Sequence, residues 1–391
     1  MNGNDIISRR SFLSGTAAAL AATALPRRVE LFAAAPAPRI VRPRSEALYG
    51  FALLGDLHYD RWDHHDMDWV RREKGKDVRQ IEGYVESTEK HTPRLFSRVR
   101  EMIATSPSKI AGVVHVGDFV EGLCGSAALQ TTQFRDAMKF VGDSKLGTPF
   151  LMTKGNHDIT GPGAREAFDD VLLPWMMKNA DIRATASSNY TWTYGNDLFV
   201  FFDAYQPDLD WLASKSKEAA AAKRVFFVIH PPVVPYNARS NWHVFHSESD
   251  RESRQRLLAW LGRHGAIVLS GHLHRYAMLT RRTTGGDFTQ FAVCSVIRSE
   301  REQPQKTRSG LDDYNEGLLE LEPKFSPDTR ERRKQLILEE KPSITSFDYA
   351  RVPGFAMLWV YPDAVQADVY LGYQNDVWKQ PRLDRSGRPT I

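Results

Sequence analysis

Apolar and polar positions follow two periods along the chain, and these predict strands and helices in turn from about residue 47 onward. Short apolar runs bounded by Gly, Asp, Asn or Pro are typical of strands. Within residues 189–205, two such runs predict a pair of strands that turns at Gly195–Asp197. The predicted strands lie within residues 48–58, 109–118, 148–158, 189–205, 224–230, 265–274 and 288–297.

Segments with helical periodicity separate these runs. In residues 92–106, Leu95, Phe96 and Val99 recur at the spacing of one helix face, and Thr92 is the expected N-cap. Similar patterns predict helices at 127–141, 208–223 and 250–263. This alternation of strands and helices predicts an α/β domain.

Residues 301–350 differ from this pattern because they are charged, carry scattered prolines and show little period-2 alternation. They predict an extended surface excursion with a helix near 328–340. Apolar runs return in residues 351–375, where two strands joined near Pro362–Asp363 are expected to complete a sheet of the same domain. We therefore expect one domain, with its core in residues 48–300.

The basic charge of the chain is concentrated at its N-terminus. The whole chain has a formal net charge of +4, whereas residues 1–44 contain only arginines and two carboxylates as charged groups, with a net charge of +5. The remainder is therefore close to neutral. A body of this kind provides no basic field for nucleic acid, so we expect no nucleic-acid-binding surface.

Residues 1–37 have the pattern of an export signal and linker. Arg9 and Arg10 lie in the string SRRSFL, and a run of small apolar residues follows that is too short and alanine-rich for a membrane span of about 20 residues. The string resembles a twin-arginine export signal, and we expect cleavage near Ala33–Ala37. A generic basic signal peptide or an uncleaved anchor is the alternative. The resemblance implies the twin-arginine export machinery as a partner, a periplasmic or extracellular location in bacteria, and no stable membrane span after cleavage.

Polar residues follow five of the predicted strands at the points where the strands end. Each ending alone is compatible with an ordinary turn or a polar strand edge. Because the carboxyl ends of parallel strands meet at one edge of a sheet, however, the five endings can converge on one site. Imidazole, carboxylate and amide groups together suit Mn, Fe or Zn, and a glycine before three of the endings permits close backbone approach. The endings are Asp56 with His58, Asp118, Asn156-His157-Asp158, His230, and His272 with His274.

The series D-x-H, G-D, G-N-H-D, H and G-H-x-H resembles the signature of the calcineurin-like metallophosphoesterases over about residues 48–300. The resemblance implies a four-layer α/β/β/α sandwich and two divalent metal ions (Mn, Fe or Zn) that share Asp118. It also implies that His157 donates a proton to the leaving alkoxide or stabilises the transition state, while Asp158 orients or charge-stabilises that imidazole. The implied ligands are Asp56, His58, Asp118 and His274 for one ion, and Asp118, Asn156, His230 and His272 for the other.

The sequence departs from the family pattern at Glu121, which stands in GDFVEG where the family often has Asp or Asn. We leave Glu121 out of the ligand set, and a role in contact with the ligands stays open. Purple acid phosphatases usually have Gly in place of His58 and Tyr in place of Glu121. The D-x-H opening and the string HPP favour phosphodiesterase-like members instead.

Two loops that follow predicted ligands carry aromatic and charged residues at the expected rim of the site. They are candidates for substrate contacts, with ordinary solvated loop residues as the alternative. The candidates are Tyr59, Trp62, His64, Arg239, Trp242 and His243. The chain has two cysteines, Cys124 and Cys294, and the sequence leaves open whether they pair.

These patterns predict an exported phosphoesterase that hydrolyses a small phosphomonoester or phosphodiester by attack of a metal-activated hydroxide. The alternatives are a nucleotide pyrophosphatase, a sphingomyelinase-like hydrolase, or an inactive binding protein of the cell envelope. The complete ligand set favours an active enzyme, because a degenerate site would be expected to lack a ligand.

Overall fold

The computed structural model describes residues 42–182, 187–236, 243–318 and 330–384 of the 391-residue chain. The export signal predicted at residues 1–37 lies outside these ranges, as do Arg239 and Trp242. Within them, no helix combines the length and the apolar character that crossing a membrane requires.

The strands of the described residues form two sheets. Their bounds are β1 Tyr49–Leu54, β2 Ile110–His115, β3 Phe150–Met152, β4 Tyr190–Tyr194, β5 Asp197–Phe201, β6 Arg224–Val228, β7 Ile267–Ser270, β8 Tyr276–Thr283, β9 Gly286–Ala292, β10 Gln305–Ser309, β11 Ile344–Arg351, β12 Gly354–Val360, β13 Ala364–Leu371, β14 Val377–Lys379 and β15 Arg382–Asp384. One sheet has the strand order β14-β13-β12-β1-β2-β3, with β15 beside β13, and the other has the order β10-β11-β8-β9-β7-β6-β5-β4.

Helices connect most of the parallel strands at the centre of each sheet, while strand β8 connects β7 to β9. In the first sheet β1, β2 and β3 are parallel, and in the second β5, β6, β7 and β9 are parallel. The helices are α1 Met67–Glu73, α2 Val78–Lys90, α3 Thr92–Ala104, α4 Ala127–Asp143, α5 Ala164–Ala167, α6 Leu173–Asn179, α7 Leu209–Ser214, α8 Ser216–Ala221, α9 Arg251–Arg263 and α10 Arg330–Glu340. A π-helical turn, Phe168–Leu172, joins α5 to α6.

The two sheets pack face to face, and aromatic side chains fill the space between them. The ring of Phe51 in β1 meets the ring of Phe199 in β5 at a centroid distance of 5.3 Å and that of Phe226 in β6 at 5.2 Å. Helices cover the outer faces: α3 packs on the first sheet, and Trp260 of α9 lies 5.8 Å from Phe227 of β6. The predicted four-layer α/β/β/α class is therefore confirmed.

Two elements differ from their predictions, one through a local hydrogen bond and one through pairing with distant strands. The single helix expected at 208–223 is two short helices that meet at Lys215. Ser214 donates to the backbone carbonyl of Trp211, and this local hydrogen bond competes with helix continuation. The region expected as a surface excursion, residues 301–350, supplies β10 and β11, and β11 lies between β8 and β10 in the second sheet.

The C-terminal part of that region is fixed by a buried ion pair network. Glu340, at the end of α10, accepts hydrogen bonds from Arg254 of α9 and from Arg281 of β8. Burial alone would raise the pKa of Glu340, but the two guanidinium groups outweigh burial and hold the pKa below its usual value. Cys124 and Cys294 are both buried free thiols, which answers the question that the sequence left open.

Candidate metal centre

The polar strand endings lie together at the carboxyl edge of the two sheets. Backbone hydrogen bonds hold the loops in place: Asp56 N–H donates to the carbonyl of Gly117 at 3.0 Å, and His58 N–H donates to that of Asp118 at 3.0 Å. Across the sheet interface, the backbone N–H of His272 donates to Asp56 Oδ1 at 2.7 Å. The loops after β1, β2 and β7 therefore position one another.

Five of the predicted ligands have left-handed backbone conformations, which are uncommon for residues other than glycine. This conformation costs roughly 1–2 kcal/mol for each residue. Such strain persists only where the surrounding structure determines it, and it concentrates at functional sites. The residues and their φ angles are Asp56 at 53°, His58 at 46°, Asp118 at 52°, His272 at 71° and His274 at 53°.

Glycines beside the ligands have no room for a side chain. A Cβ on Gly155 would lie 2.0 Å from the backbone N of Asp118, and one on Gly271 would lie 2.5 Å from Oδ2 of Asp56. The close backbone approach expected from these glycines is thus present at both positions.

A first group of donor atoms surrounds one point at the end of β1. One atom from each of its four members lies within 4.8 Å of the others, and the members are Asp56, His58, Asp118 and His274. The Nε2 atoms of His58 and His274 are 3.0 Å apart, and Asp56 Oδ1 lies 3.6 Å from Nε2 of His274. These are the four ligands that the family resemblance implied for one ion.

A second group lies on the other side of Asp118 and comprises Asp118, His230 and His272 within the same 4.8 Å limit. Nε2 of His230 lies 3.0 Å from Oδ2 of Asp118 and 3.1 Å from Nδ1 of His272. Asn156 joins this group, because its Oδ1 is 3.2 Å from His230 Nε2. Asp118 belongs to both groups, and its Oδ2 is also 3.6 Å from His58 Nε2.

Hydrogen bonds at Nδ1 orient the imidazoles of His58 and His230 toward the two groups. Nδ1 of His58 donates to the Glu121 carboxylate at 2.8 Å, and Nδ1 of His230 donates to the carbonyl of Val116 at 2.7 Å. With the proton of each ring on Nδ1, Nε2 would present a lone pair toward the carboxylate of Asp118. Lone pairs that converge in this way are the arrangement of a metal site.

The buried carboxylates also require positive charge. Asp56 is fully buried, and its Oδ2 has no hydrogen-bond partner among the described residues. Burial and the neighbouring Asp118 raise the pKa of Asp56 to about 8. Burial alone would also raise the pKa of Asp118, but His230, His157 and His58 outweigh it and hold the pKa well below its usual range. These donors therefore fit a divalent cation, which would balance both carboxylates.

The sequence matches the model of one protein family, described as calcineurin-like phosphoesterase, over residues 49–276. This match covers more than half of the chain and includes both groups of donor atoms. The chain belongs to the calcineurin-like phosphoesterase family. A search of the curated proteins finds no significant match.

Solved structures of phosphatases resemble this calcineurin-like chain in fold. A purple acid phosphatase from yellow lupin (Lupinus luteus) is 11% identical with a TM-score of 0.50, and the match covers 88% of this chain and 55% of that one. PhoD matches at 13% identity with a TM-score of 0.48, covering 88% and 71% of the two chains. A dimetal phosphatase from Danio rerio matches at 13% identity with a TM-score of 0.48, covering 87% and 99%. This chain thus spans about half the length of the lupin phosphatase, and at such identity the likeness concerns the fold alone.

Within this calcineurin-like site, Glu121 rather than Asp158 holds the imidazole of His157 in place. Nδ1 of His157 donates to the carbonyl of Glu121 at 2.8 Å and lies 3.1 Å from its carboxylate. Asp158 instead accepts backbone N–H bonds from Phe119, Val120 and Gly155. The expectation that Asp158 orients His157 is therefore wrong: its carboxylate clamps the loops after β2 and β3.

Glu121 also connects His157 to the first donor group, so that His58, Glu121 and His157 form a third cluster within 4.8 Å. Its other oxygen accepts from Gln80 Nε2 at 2.8 Å, so all three partners are hydrogen-bond donors. The imidazoles of His157 and His58 outweigh the effect of burial and lower the pKa of Glu121 to about 2. We interpret this cluster as a hydrogen-bonded support for the ligands.

Two tyrosines that the sequence reasoning missed complete the support. The ring of Tyr84 in α2 stacks on His58 at a centroid distance of 4.1 Å. Tyr205 donates from its hydroxyl to Oδ1 of Asn156 at 3.2 Å. The helical pattern around Tyr84 could have revealed α2, because Ile81, Tyr84 and Val85 share its buried face. No pattern in the sequence marks Tyr205.

The predicted substrate contacts that the structure describes are mostly away from solvent. Trp62 is exposed at 46% of its surface, whereas His64 and His243 are buried. Nε2 of His64 pairs with the carboxylate of Asp136 at 3.0 Å. Tyr59 is partly buried and packs against the hydrophobic core. The rim position predicted for His64 and His243 is therefore wrong, because these side chains face the interior.

Proposed function

We propose that this protein is a dinuclear metal-dependent phosphoesterase that hydrolyses a phosphomonoester or a phosphodiester. The observation that carries the proposal is the position of Asp118, whose carboxylate belongs to two groups of metal-ligand atoms at once. One ion would bind Asp56, His58, Asp118 and His274, and the other Asp118, Asn156, His230 and His272. When bound, such a pair of divalent cations activates water near neutral pH and neutralises phosphate charge.

His157 supplies the proton for the leaving group in this proposal. Burial alone would lower the pKa of His157, but the carboxylates of Glu121 and Asp118 outweigh it and hold the pKa well above its usual value. Since Nδ1 is hydrogen-bonded to Glu121, the proton available to a leaving oxygen is the one on Nε2. The side chain of His157 is 19% exposed, which supports contact with a substrate. Its role is that of a general acid.

The experiment measures metal content together with hydrolysis. Purified protein is analysed for transition metals and assayed with Mn²⁺ on p-nitrophenyl phosphate and bis-p-nitrophenyl phosphate. We expect about two ions per chain, as in two-metal phosphatases, and turnover of at least one substrate. Asp118→Asn should lose metal and activity, and His157→Ala should lose activity while it keeps the metal. His264→Ala is the matched control, because this imidazole contacts the ring of Trp260 in α9.

Absence of bound transition metal, or full activity in the Asp118→Asn and His157→Ala variants, would contradict the proposal. The ratio of the two rates also ranks monoesters against diesters. Thermal unfolding of each variant excludes loss of the fold as the cause of any change.

We further propose that the protein is exported by the twin-arginine route and acts outside the bacterial cytoplasm. The string SRRSFL and the short alanine-rich run after it support this proposal. N-terminal sequencing of exported material tests it, and we expect a new N-terminus near Ala33–Ala37. Replacing both Arg9 and Arg10 with Lys should block export, and unchanged export would contradict the route.

A further inference from the structure

A cavity of about 290 Å³ opens beside His274, at the edge of the first donor group. The loop after β7, the loop after β9 and the turn between β11 and β12 line it. Three arginines contribute to its wall, and they are Arg275, Arg298 and Arg351. Because His274 belongs both to the donor group and to this wall, the cavity continues directly from the proposed reaction site.

The cavity carries an excess of positive charge. Its one carboxylate, Glu302, accepts hydrogen bonds from the backbone N–H groups of Arg298 at 2.7 Å and Ser299 at 3.0 Å. Glu302 is thus engaged with its own loop. Within the described part of the chain, no carboxylate forms an ion pair with any of the three arginines. Three guanidinium groups thus line one small space without a paired carboxylate among the described residues, which favours an anion there.

Arg275 is held in a fixed position by the ligand loop. Its Nη1 donates to the carbonyl of His274 at 2.8 Å, which places the guanidinium next to the proposed metal ligand. The Nε of Arg275 is buried and has no hydrogen-bond partner among the described residues. A buried N–H without a partner is unfavourable, and more so in a charged group. An acceptor that reached this N–H would remove the penalty.

We propose that this cavity binds a second phosphoryl group of the substrate. The substrate class would be a phosphate ester whose organic part carries another phosphate close to the one that is hydrolysed. Guanidinium groups match the oxygens of a phosphate in a fork geometry, and a cavity at the small end of the usual range of ligand sites suits such a compact group. This inference rests on the proposed function, since the phosphate that reacts is placed at Asp118.

The test compares competitors that differ by one phosphate. Hydrolysis of p-nitrophenyl phosphate at a fixed free Mn²⁺ concentration is inhibited with propyl phosphate and with propane-1,3-diol bisphosphate. We expect the bisphosphate to have an inhibition constant lower by about tenfold or more, because its second phosphate can form charge-assisted hydrogen bonds with the guanidinium groups. In the double variant Arg298→Gln, Arg351→Gln, the ratio of the two constants should fall toward one. Both side chains are exposed, so the fold should tolerate the change.

Arg282→Gln is the matched control, because Arg282 is exposed and does not line the cavity. It should keep the ratio of the wild type. An equal inhibition constant for the two competitors, or a ratio that the double variant leaves unchanged, would overturn the inference. Titration calorimetry of both competitors gives the same comparison without turnover. Failure of the proposed function would appear as absence of metal-dependent hydrolysis, and it is therefore distinguished from failure of this inference.

Discussion

The role of Glu121 in holding the metal ligands can be tested by removing only the charge of its side chain. In the variant Glu121→Gln, the side-chain oxygen that remains can still accept the hydrogen bond from His58 Nδ1. The new amide nitrogen then faces Gln80, whose own amide group can turn to present its oxygen, so that every hydrogen bond of the wild type keeps a partner. The carbonyl of Glu121 still accepts from His157. The variant therefore removes a charge and leaves the packing intact.

The expected magnitude follows from these contacts. A hydrogen bond to a charged group contributes about 1.5–3 kcal/mol and a neutral one about 0.5–1.5 kcal/mol, so each of the two imidazoles loses roughly 1 kcal/mol. The sum of about 2 kcal/mol corresponds to a roughly 30-fold loss. This value lies in the range of about 10–100-fold that is typical when a residue supporting metal ligands is changed.

The assay measures metal affinity and kinetics in the same preparations. Metal content is determined after dialysis against graded chelator concentrations, and kcat and KM are measured with p-nitrophenyl phosphate. The loss should lie in metal affinity and kcat, with KM little changed, because Glu121 orients ligands and does not contact solvent. Glu86→Gln in α2 is the matched control, since this carboxylate is exposed and pairs with Lys90 on the surface.

A Glu121→Gln variant within twofold of the wild type in both metal affinity and kcat would refute the reasoning. A lower melting temperature with unchanged kcat per bound metal would indicate that Glu121 only stabilises the fold. An equal loss in the Glu86→Gln control would show that the effect does not come from the buried contacts.

Three further outcomes are expected from the fold and the site. Gly142→Ala should raise the free energy of unfolding by about 0.5–1 kcal/mol, because this position in α4 has open space for a Cβ. Gly155→Ala should lower the free energy of unfolding, because its Cβ would meet the backbone of Asp118. Urea denaturation measures both effects. Glu340→Gln should be less stable by about 3 kcal/mol at neutral pH. The pKa of Glu340 is lowered in the folded state, so its ionised carboxylate stabilises the fold above the pKa of about 4.3 of an unfolded glutamate. This stabilisation is lost as the pH falls through the pKa of the folded state. The difference in unfolding free energy between the wild type and Glu340→Gln should therefore shrink in acid. Removal of metal with a chelator should lower the melting temperature, because a ligand at a concentration of about a thousand times its Kd stabilises the folded state by about 4 kcal/mol. An unchanged melting temperature would contradict tight metal binding.

Several parts of the fold could be predicted from local pattern because their burial is regular. The hairpin of β4 and β5 has its turn at Gly195, and β12 and β13 flank Pro362–Asp363 as expected. By contrast, the local sequence pattern does not predict β11. Its polar positions alternate weakly with Phe347 and Tyr349, and the strand forms because β8 and β10 pair with it on both sides. Pairing between distant segments overrides local propensity in such central strands.

The sequence by itself determined which residue types stand at the strand ends, and hence the family and the candidate ligands. Strand ends of a parallel sheet meet at one edge, so the candidate ligands could be expected to converge, and the family resemblance implied that Asp118 belongs to two groups. Only the tertiary structure decided which side chains support those ligands and what lies beside them. Glu121, rather than Asp158, meets His157, and the arginine-lined cavity next to His274 joins three separate loops. The physical reason is that hydrogen bonds and charge excess depend on side-chain directions across segments far apart in the chain, which no local spacing encodes.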